Sequence, residues 1–289
     1  MKIQTIEIKD YLVKSSITLN DFVINPYIGC PHACKYCYAS YMRRFTNHIN
    51  EKWGTFLDVK YCNKPIDIKK VIGKSIFISS VTDCYNPYEA KYCITQNILK
   101  QLLNVDCNIM IVTKSSLILR DLDLLKQLKS VKVTLSINTL DEQFKNDMDN
   151  ASSIKDRLNT LKILNENNIY TILFISPIFP GITNYRDIIN ISNEYVNEYF
   201  FENLNLRGDY KYTILKYIND KYPQYKELYN EIFILNNNKY WNVLELDIKE
   251  YCNKNSIKYS VYFYHKQFVK SSESNKLNSK FKQNQLKFS

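Results

Sequence analysis

The chain has 289 residues, 45% hydrophobic and 24% charged, a balance that excludes a disordered or fibrous polymer and supports one sizeable core. No stretch approaches the ~18 uncharged apolar residues of a membrane span, and the opening MKIQTIEIKDYLVKSS is broken by charges where a signal peptide is apolar; the expected location is therefore cytoplasmic. Net charge is +10, and half of that excess lies in the last segment, where Lys266, Lys270, Lys276, Lys280, Lys282 and Lys287 face Glu273 alone. That segment is also rich in Ser, Asn and Gln, which favours a solvated, disordered end over an arm that binds nucleic acid electrostatically.

In chain order, residues 21–28 predict a first strand. Residues 75–80 (SIFISS) predict a strand and 90–103 a helix. Residues 108–113 (NIMIVT) and 131–137 (VKVTLSI) read as strands, followed by helices over 120–129 and 154–167. Residues 169–176 (IYTILFIS) and 199–204 (YFFENL) continue the series, with a helix over 185–197 between them. The strand runs are apolar with little alternation, as when both faces are buried. Strand–helix alternation predicts an α/β fold with a parallel sheet, either open or rolled into a barrel. Beyond Arg207 the pattern turns helical over 210–219, 223–235 and 241–252, with a final strand over 259–264.

Sites in such folds form at the carboxyl ends of strands. The loops to inspect are therefore 29–38, 79–89, 113–116, 136–138 and 176–181. The first holds Cys30, Cys34 and Cys37 in CPHACKYC, a C-x3-C-x2-C spacing. In a reducing compartment the eight cysteines read as ligands, catalytic thiols or buried small residues rather than disulfides. Three thiolates on one short loop suit one face of an iron–sulfur cubane, leaving its fourth iron open. The rival is zinc, which takes four ligands, commonly in two pairs. Here Cys62, Cys84, Cys93, Cys107 and Cys252 are scattered, and the nearby histidines are His32, inside the loop, and His48.

The cysteine spacing, with the aromatic Tyr36 before the third cysteine, resembles the radical SAM superfamily. The fuller NPYIGCPHACKYCYA resembles its spore photoproduct lyase-like branch, the DNA repair photolyase type. VTDCYNPYE (81–89), TKSSLILRDLDLL (113–125), LSINTLDEQF (135–144), Arg157 and SPIFPGITN (176–184) resemble that branch in order. The resemblance implies a partial (β/α)6 barrel over 21–207, after an N-terminal segment 1–20. A mainly helical extension over 208–264 and the basic tail 265–289 follow. It also implies a [4Fe–4S] cluster on Cys30, Cys34 and Cys37, S-adenosyl-L-methionine on the open iron, and an external electron donor such as flavodoxin or ferredoxin. The expected reaction is reductive cleavage to a 5′-deoxyadenosyl radical acting on an unknown substrate.

By the same resemblance Tyr36 seats the adenine, Thr82 and Asp83 meet the methionine ammonium, and Lys114 and Arg157 meet the carboxylate. Ser136 and Asn138 reach the ribose hydroxyls. Plainer readings are packing for Tyr36, a helix cap for Asp83 and a surface ion pair with Asp156 or Glu166 for Arg157. The lyase itself uses a cysteine hydrogen donor whose position falls near Val81; Cys84 is the displaced candidate, and a small buried residue is its plainer reading. Two other functions stay open: a DNA-lesion lyase, for which no DNA-binding motif is visible, and a non-catalytic zinc-binding nucleic-acid module.

Overall fold

The computed structural model describes residues 1–16 and 20–265; the tail from residue 266 lies outside them. The described strands are β1 (Lys2–Glu7), β2 (Val13–Lys14), β3 (Phe22–Ile24), β4 (Tyr27–Ile28), β5 (Phe56–Tyr61), β6 (Ser75–Ile78), β7 (Asn108–Thr113), β8 (Val131–Ser136), β9 (Tyr170–Ile178), β10 (Glu198–Asn203) and β11 (Tyr259–Val261). The main sheet runs β11-β10-β9-β8-β7-β6-β3-β2, and a small one runs β1-β5-β4. From β3 to β11 every neighbour in the main sheet is parallel, and β2 adds an antiparallel edge. The architecture is a partial α/β barrel, as predicted, with β2 and β11 as its open edges. Ile76, Ile78, Ile111, Val133, Leu135, Leu173 and Ile175 are fully buried, each contributing about 1.5–3 kcal/mol by leaving water.

The predicted strand over 21–28 is two strands in two sheets. Asn25-Pro26 divides it, since Pro26 has no N–H for a ladder. β3 pairs with β6, and β4 turns to pair antiparallel with β5, Tyr27 opposite Val59. Gly29 and Cys30 therefore leave from between the two sheets. The helix over 90–103 is broken at Cys93, whose φ is 51°, into Glu89–Tyr92 and Ile94–Gln101.

The C-terminal part is mainly helical and closes on the expected final strand. After helices Gly208–Lys221, Lys226–Phe233 and Lys239–Lys254, β11 returns to the main sheet, Val261 opposite Phe201. Tyr264 N–H then donates to Asn203 Oδ1 at 2.7 Å. Among the described residues no helix is long and apolar enough to cross a membrane.

Candidate active site

Gly29 ends β4 with φ +85°, and a Cβ there would lie 2.5 Å from the Phe56 carbonyl oxygen. Left-handed backbone against a neighbouring chain is a place for glycine. The cysteine loop then makes two turns, with Ala33 N–H donating to Cys30 O and Cys37 N–H to Cys34 O, both at 3.1 Å. Gly54 passes beneath it; a Cβ there would meet Ala33 Cβ at 2.4 Å. The loop is pinned across to residues 148–150: Lys35 N–H donates to Met148 O at 2.9 Å and Asn150 N–H to His32 O at 2.8 Å.

Cys30 is buried, Cys34 and Cys37 are half-buried, and all three thiols are free. Burial pushes each of their pKa values up, and Cys34 and Cys37 add to the rise at Cys30. Lys114 and the backbone N–H groups of Ala39 and Ser40 work against burial at Cys37, as His32 N–H does at Cys30. This is a set of soft donors held together with N–H groups for their thiolate form, which fits a thiolate-ligated cluster. Among the described residues no three His, Cys, Asp or Glu side chains gather as ligands of one metal ion. A single zinc would need sulfurs about 4 Å apart.

Asp83 lies at the end of β6, over this loop. Its Oδ1 accepts from Tyr85 N–H at 2.9 Å and Thr113 Oγ1 at 2.7 Å. Its Oδ2 accepts from Lys114 N–H at 2.8 Å and lies 3.1 Å from His32 Nε2. Burial would raise the Asp83 pKa, but His32 and these donors hold it down to about 2. The carboxylate thus ties the cysteine loop to the ends of β6 and β7, and its acceptor directions are filled. Thr82 Oγ1 makes a similar tie, donating to Gly29 O at 2.6 Å.

Arg157 is not the surface residue of its plainer reading. It is 1% exposed, in the first turn of helix Ile154–Glu166. Its Nε donates to Ser152 O at 2.8 Å, Nη1 to Ser136 O at 3.1 Å and Nη2 to Asp149 Oδ1 at 2.9 Å. The guanidinium is not a surface ion pair, and three of its five N–H donors are engaged within the protein. Its partner Asp149 went unread in the sequence, yet it is the hub of the site. Asp149 also accepts from Tyr36 Oη at 2.9 Å and Ala151 N–H at 3.0 Å. Burial opposes its ionisation, but Arg157 and Lys114 outweigh that and lower its pKa.

Lys114 is the cation left facing the thiols. Its Nζ lies 5.7 Å from the Tyr36 ring centroid and has no carboxylate within ion-pair distance among the described residues. Burial disfavours its charge, but Cys34 and Asp149 outweigh burial and raise its pKa. Ser136 ends β8 and Asn138 follows it; Asn138 Nδ2 donates to Pro177 O at 3.2 Å and its backbone carbonyl accepts from Thr183 Oγ1 at 2.7 Å. The Ser136 carbonyl serves Arg157, while its hydroxyl has no partner among the described residues.

Cys84 does not join this group. It is fully buried in the main core, its N–H donating to Ser79 Oγ and its carbonyl accepting from Thr95 Oγ1, both at 2.7 Å. A hydrogen donor must reach the reacting radical, and burial in the core is in keeping with the plainer reading of Cys84. Val81 instead packs against the Cys30, Ala39, Trp53 and Phe56 cluster. On the outer side the short helix Tyr38–Phe45 leaves the cysteine loop with Tyr38, Tyr41 and Phe45 exposed.

The sequence profile of the Radical SAM superfamily matches residues 24–193. The chain belongs to this superfamily, whose members are enzymes that use S-adenosylmethionine and an iron–sulfur cluster. An uncharacterised protein of Methanocaldococcus jannaschii is 42% identical over 211 residues, 72% of this chain and 78% of that one. The radical SAM Nα-GlyT isomerase of Pseudomonas phage M6 is 26% identical over 204 residues, 68% of this chain and 39% of that protein. In fold, the chain is similar to a spore photoproduct lyase variant with bound AdoMet and dinucleoside spore photoproduct. That match has a TM-score of 0.55 at 14% identity, covering 77% of this chain and 66% of the other. The chain thus spans just under two thirds of the lyase and well under half of the isomerase.

Proposed function

We propose that this protein binds a [4Fe–4S] cluster through Cys30, Cys34 and Cys37 and cleaves S-adenosylmethionine reductively at it. The observation that carries the reading is the loop itself: three free thiols, flanked by backbone N–H donors and Lys114, at the carboxyl ends of the barrel strands. When bound, the cluster supplies the electron that releases a 5′-deoxyadenosyl radical from the cofactor. In this reading an external donor such as a flavodoxin or ferredoxin in the cytoplasm supplies that electron.

The chain's own groups bind and orient. Lys114 Nζ meets the methionine carboxylate, a charged hydrogen bond worth about 1.5–3 kcal/mol. Tyr36 seats the adenine through its backbone, with its ring held by the hydrogen bond from its hydroxyl to Asp149. The Ser136 hydroxyl and Asn138 reach the ribose. Thr82, Asp83 and Arg157 are positioning residues, because their polar atoms serve the loops that carry the others. Residues 21–207 are the catalytic unit in this account.

The test is anaerobic: reconstituted protein with dithionite and S-adenosylmethionine should form 5′-deoxyadenosine slowly without substrate. Cluster-replete protein that forms none contradicts the reading. The zinc-module alternative predicts a colourless protein in the same preparation.

A nucleic-acid substrate is a second reading. It is supported by the exposed Tyr38, Tyr41 and Phe45 beside Arg43 and Arg44, one short helix after Cys37. Aromatic rings and arginines suit stacked bases and phosphates. The dinucleoside in the lyase structure is in keeping with it. Lyase chemistry with Cys84 as hydrogen donor is not, because that thiol is sealed in the core. Cys84 should therefore resist alkylation in the folded, cluster-replete protein, and rapid labelling of Cys84 there would return it to the site.

A further inference from the structure

The end of the barrel away from the cysteine loop carries a cleft of about 450 Å³. It opens where β8 and β9 begin, at Val131 and Tyr170. β9 runs nine residues from there, about 30 Å at strand spacing, so the cleft and the cysteine loop lie at opposite ends of the strands. A volume of this size suits a small ligand. The floor is apolar, with Leu125, Leu128 and Ile169 buried. The rim carries Lys126, Lys129 and Lys132, and among the described residues no Asp or Glu lines it.

The three lysines are held around one space without a neutralising partner. Lys126 Nζ donates to the neutral Asn167 Oδ1 at 3.4 Å across the cleft. Lys132 Nζ stands 4.7 Å from the Tyr170 ring centroid, and Lys258 Nζ adds a further cation 5.1 Å from the same ring. The nearby carboxylates are engaged elsewhere, Glu166 with Lys162 at 4.0 Å and Glu198 with Lys258 at 3.4 Å. None of the three rim lysines has a carboxylate within ion-pair distance among the described residues. Helix ends attract lysines, and Lys126 follows helix Leu122–Leu125. Lys132, however, belongs to β8 and shares the cleft with the other two. Like charges around one apolar floor repel, and an anion between them removes that cost. Phosphate oxygens accept well from ammonium groups, and the apolar floor then takes the body that carries the phosphate.

We propose that this cleft is a binding site for a phosphate ester, with the phosphate on Lys126, Lys129 and Lys132 and the organic body over Leu125, Leu128 and Ile169. A nucleotide unit has this make-up, whether free or within a nucleic-acid strand. The site is independent of the cluster reading, and its distance from the cysteine loop makes it an anchoring site rather than a reacting one.

The test uses the full chain and two probes. Uridine 5′-monophosphate is compared with uridine by calorimetry, a pyrimidine being chosen to avoid any seat for adenine. A labelled single-stranded oligodeoxynucleotide is followed by anisotropy across a range of salt concentrations. Replacing all three rim lysines with glutamine should weaken uridine monophosphate binding roughly tenfold or more if the ligand is a free nucleotide. If the ligand is a strand, the same variant should flatten the oligonucleotide's logarithmic salt dependence by about 2, because each phosphate contact contributes about 0.7. Lys132 leans on Tyr170, so the double variant Lys126→Gln with Lys129→Gln, at two exposed positions, guards against misfolding and should show a smaller change of the same sign. A control that loses equal charge at the exposed Lys64, Lys69 and Lys239 should bind like the parent. Parent protein that binds neither probe overturns the proposal. So does binding that is indifferent to the rim lysines, or weakened equally by the control.

Discussion

Arg157 and Lys114 stand around the same carboxylate, Asp149, yet their removal should have different consequences. Arg157→Ala leaves Asp149 buried without its closest cation, a break that costs about 3–5 kcal/mol in comparable pairs. A clear fall in melting temperature and a loss of cluster content are expected; a variant with wild-type melting would contradict the positioning role. Lys114→Met leaves the Asp149–Arg157 pair in place. It should melt like the parent while binding S-adenosylmethionine roughly tenfold more weakly, or ~1.4 kcal/mol, by calorimetry. Sequence alone could not separate the two, because a basic residue after a strand looks the same whether its donors are free or spent. Asp149 gave even less signal: it sits in a short polar turn, MDNAS, and its importance comes from burial among partners distant in sequence. Elsewhere, burial pushes the Cys252 pKa up to about 11. The folded pKa lies above the unfolded one, so the stabilising contribution is complete below the ordinary thiol range and is lost as pH rises through about 11. At pH 8 only about one in a thousand of these thiols is ionised. Alkylation should therefore spare Cys252 until the chain unfolds, and rapid native labelling there would refute its burial.

At the scale of elements, the strands from β6 to β10 were legible because both faces are buried and the runs are apolar throughout. β1 was not, since KIQTIE is only half-buried on a small sheet that pairs across 54 residues of sequence. The division at Asn25-Pro26 was written in the sequence, but its meaning depends on β5, which was also unread. The segments 81–89 and 113–125 looked like cofactor contacts, and much of what they hold is structural. Glu89, fully buried, accepts from the Tyr27 hydroxyl, from Thr95 N–H at 3.0 Å and from Arg120 Nη2 at 2.8 Å. It thereby joins β4 to the starts of two helices. The turn at Gly29 is the most exacting element: Gly29→Ala sets a Cβ against the Phe56 carbonyl and costs about 1–2 kcal/mol in backbone strain before any clash. Iron content and melting temperature should both drop in that variant, whereas full iron content would show that the cysteine loop tolerates a different path.

Across the whole molecule, the barrel and the C-terminal helices form one sheet system, because β11 returns to β10. Truncation after Tyr264 leaves every residue assigned to the site in place and should leave uncoupled cofactor cleavage nearly unchanged. Truncation after Arg207 removes β11 and bares β10 as an unpaired apolar edge, so insoluble protein is expected; a soluble, well-folded 1–207 fragment would contradict that account. The central claim, that the three cysteines hold a cluster whose open iron takes the cofactor, is tested most directly by EPR. Anaerobically reconstituted protein, reduced with dithionite, is measured with and without S-adenosylmethionine. The account predicts a reduced-cluster signal that changes shape when the cofactor is added, and no such signal in Cys30→Ala. A reduced-cluster signal indifferent to the cofactor, or a colourless protein carrying one zinc, would contradict it.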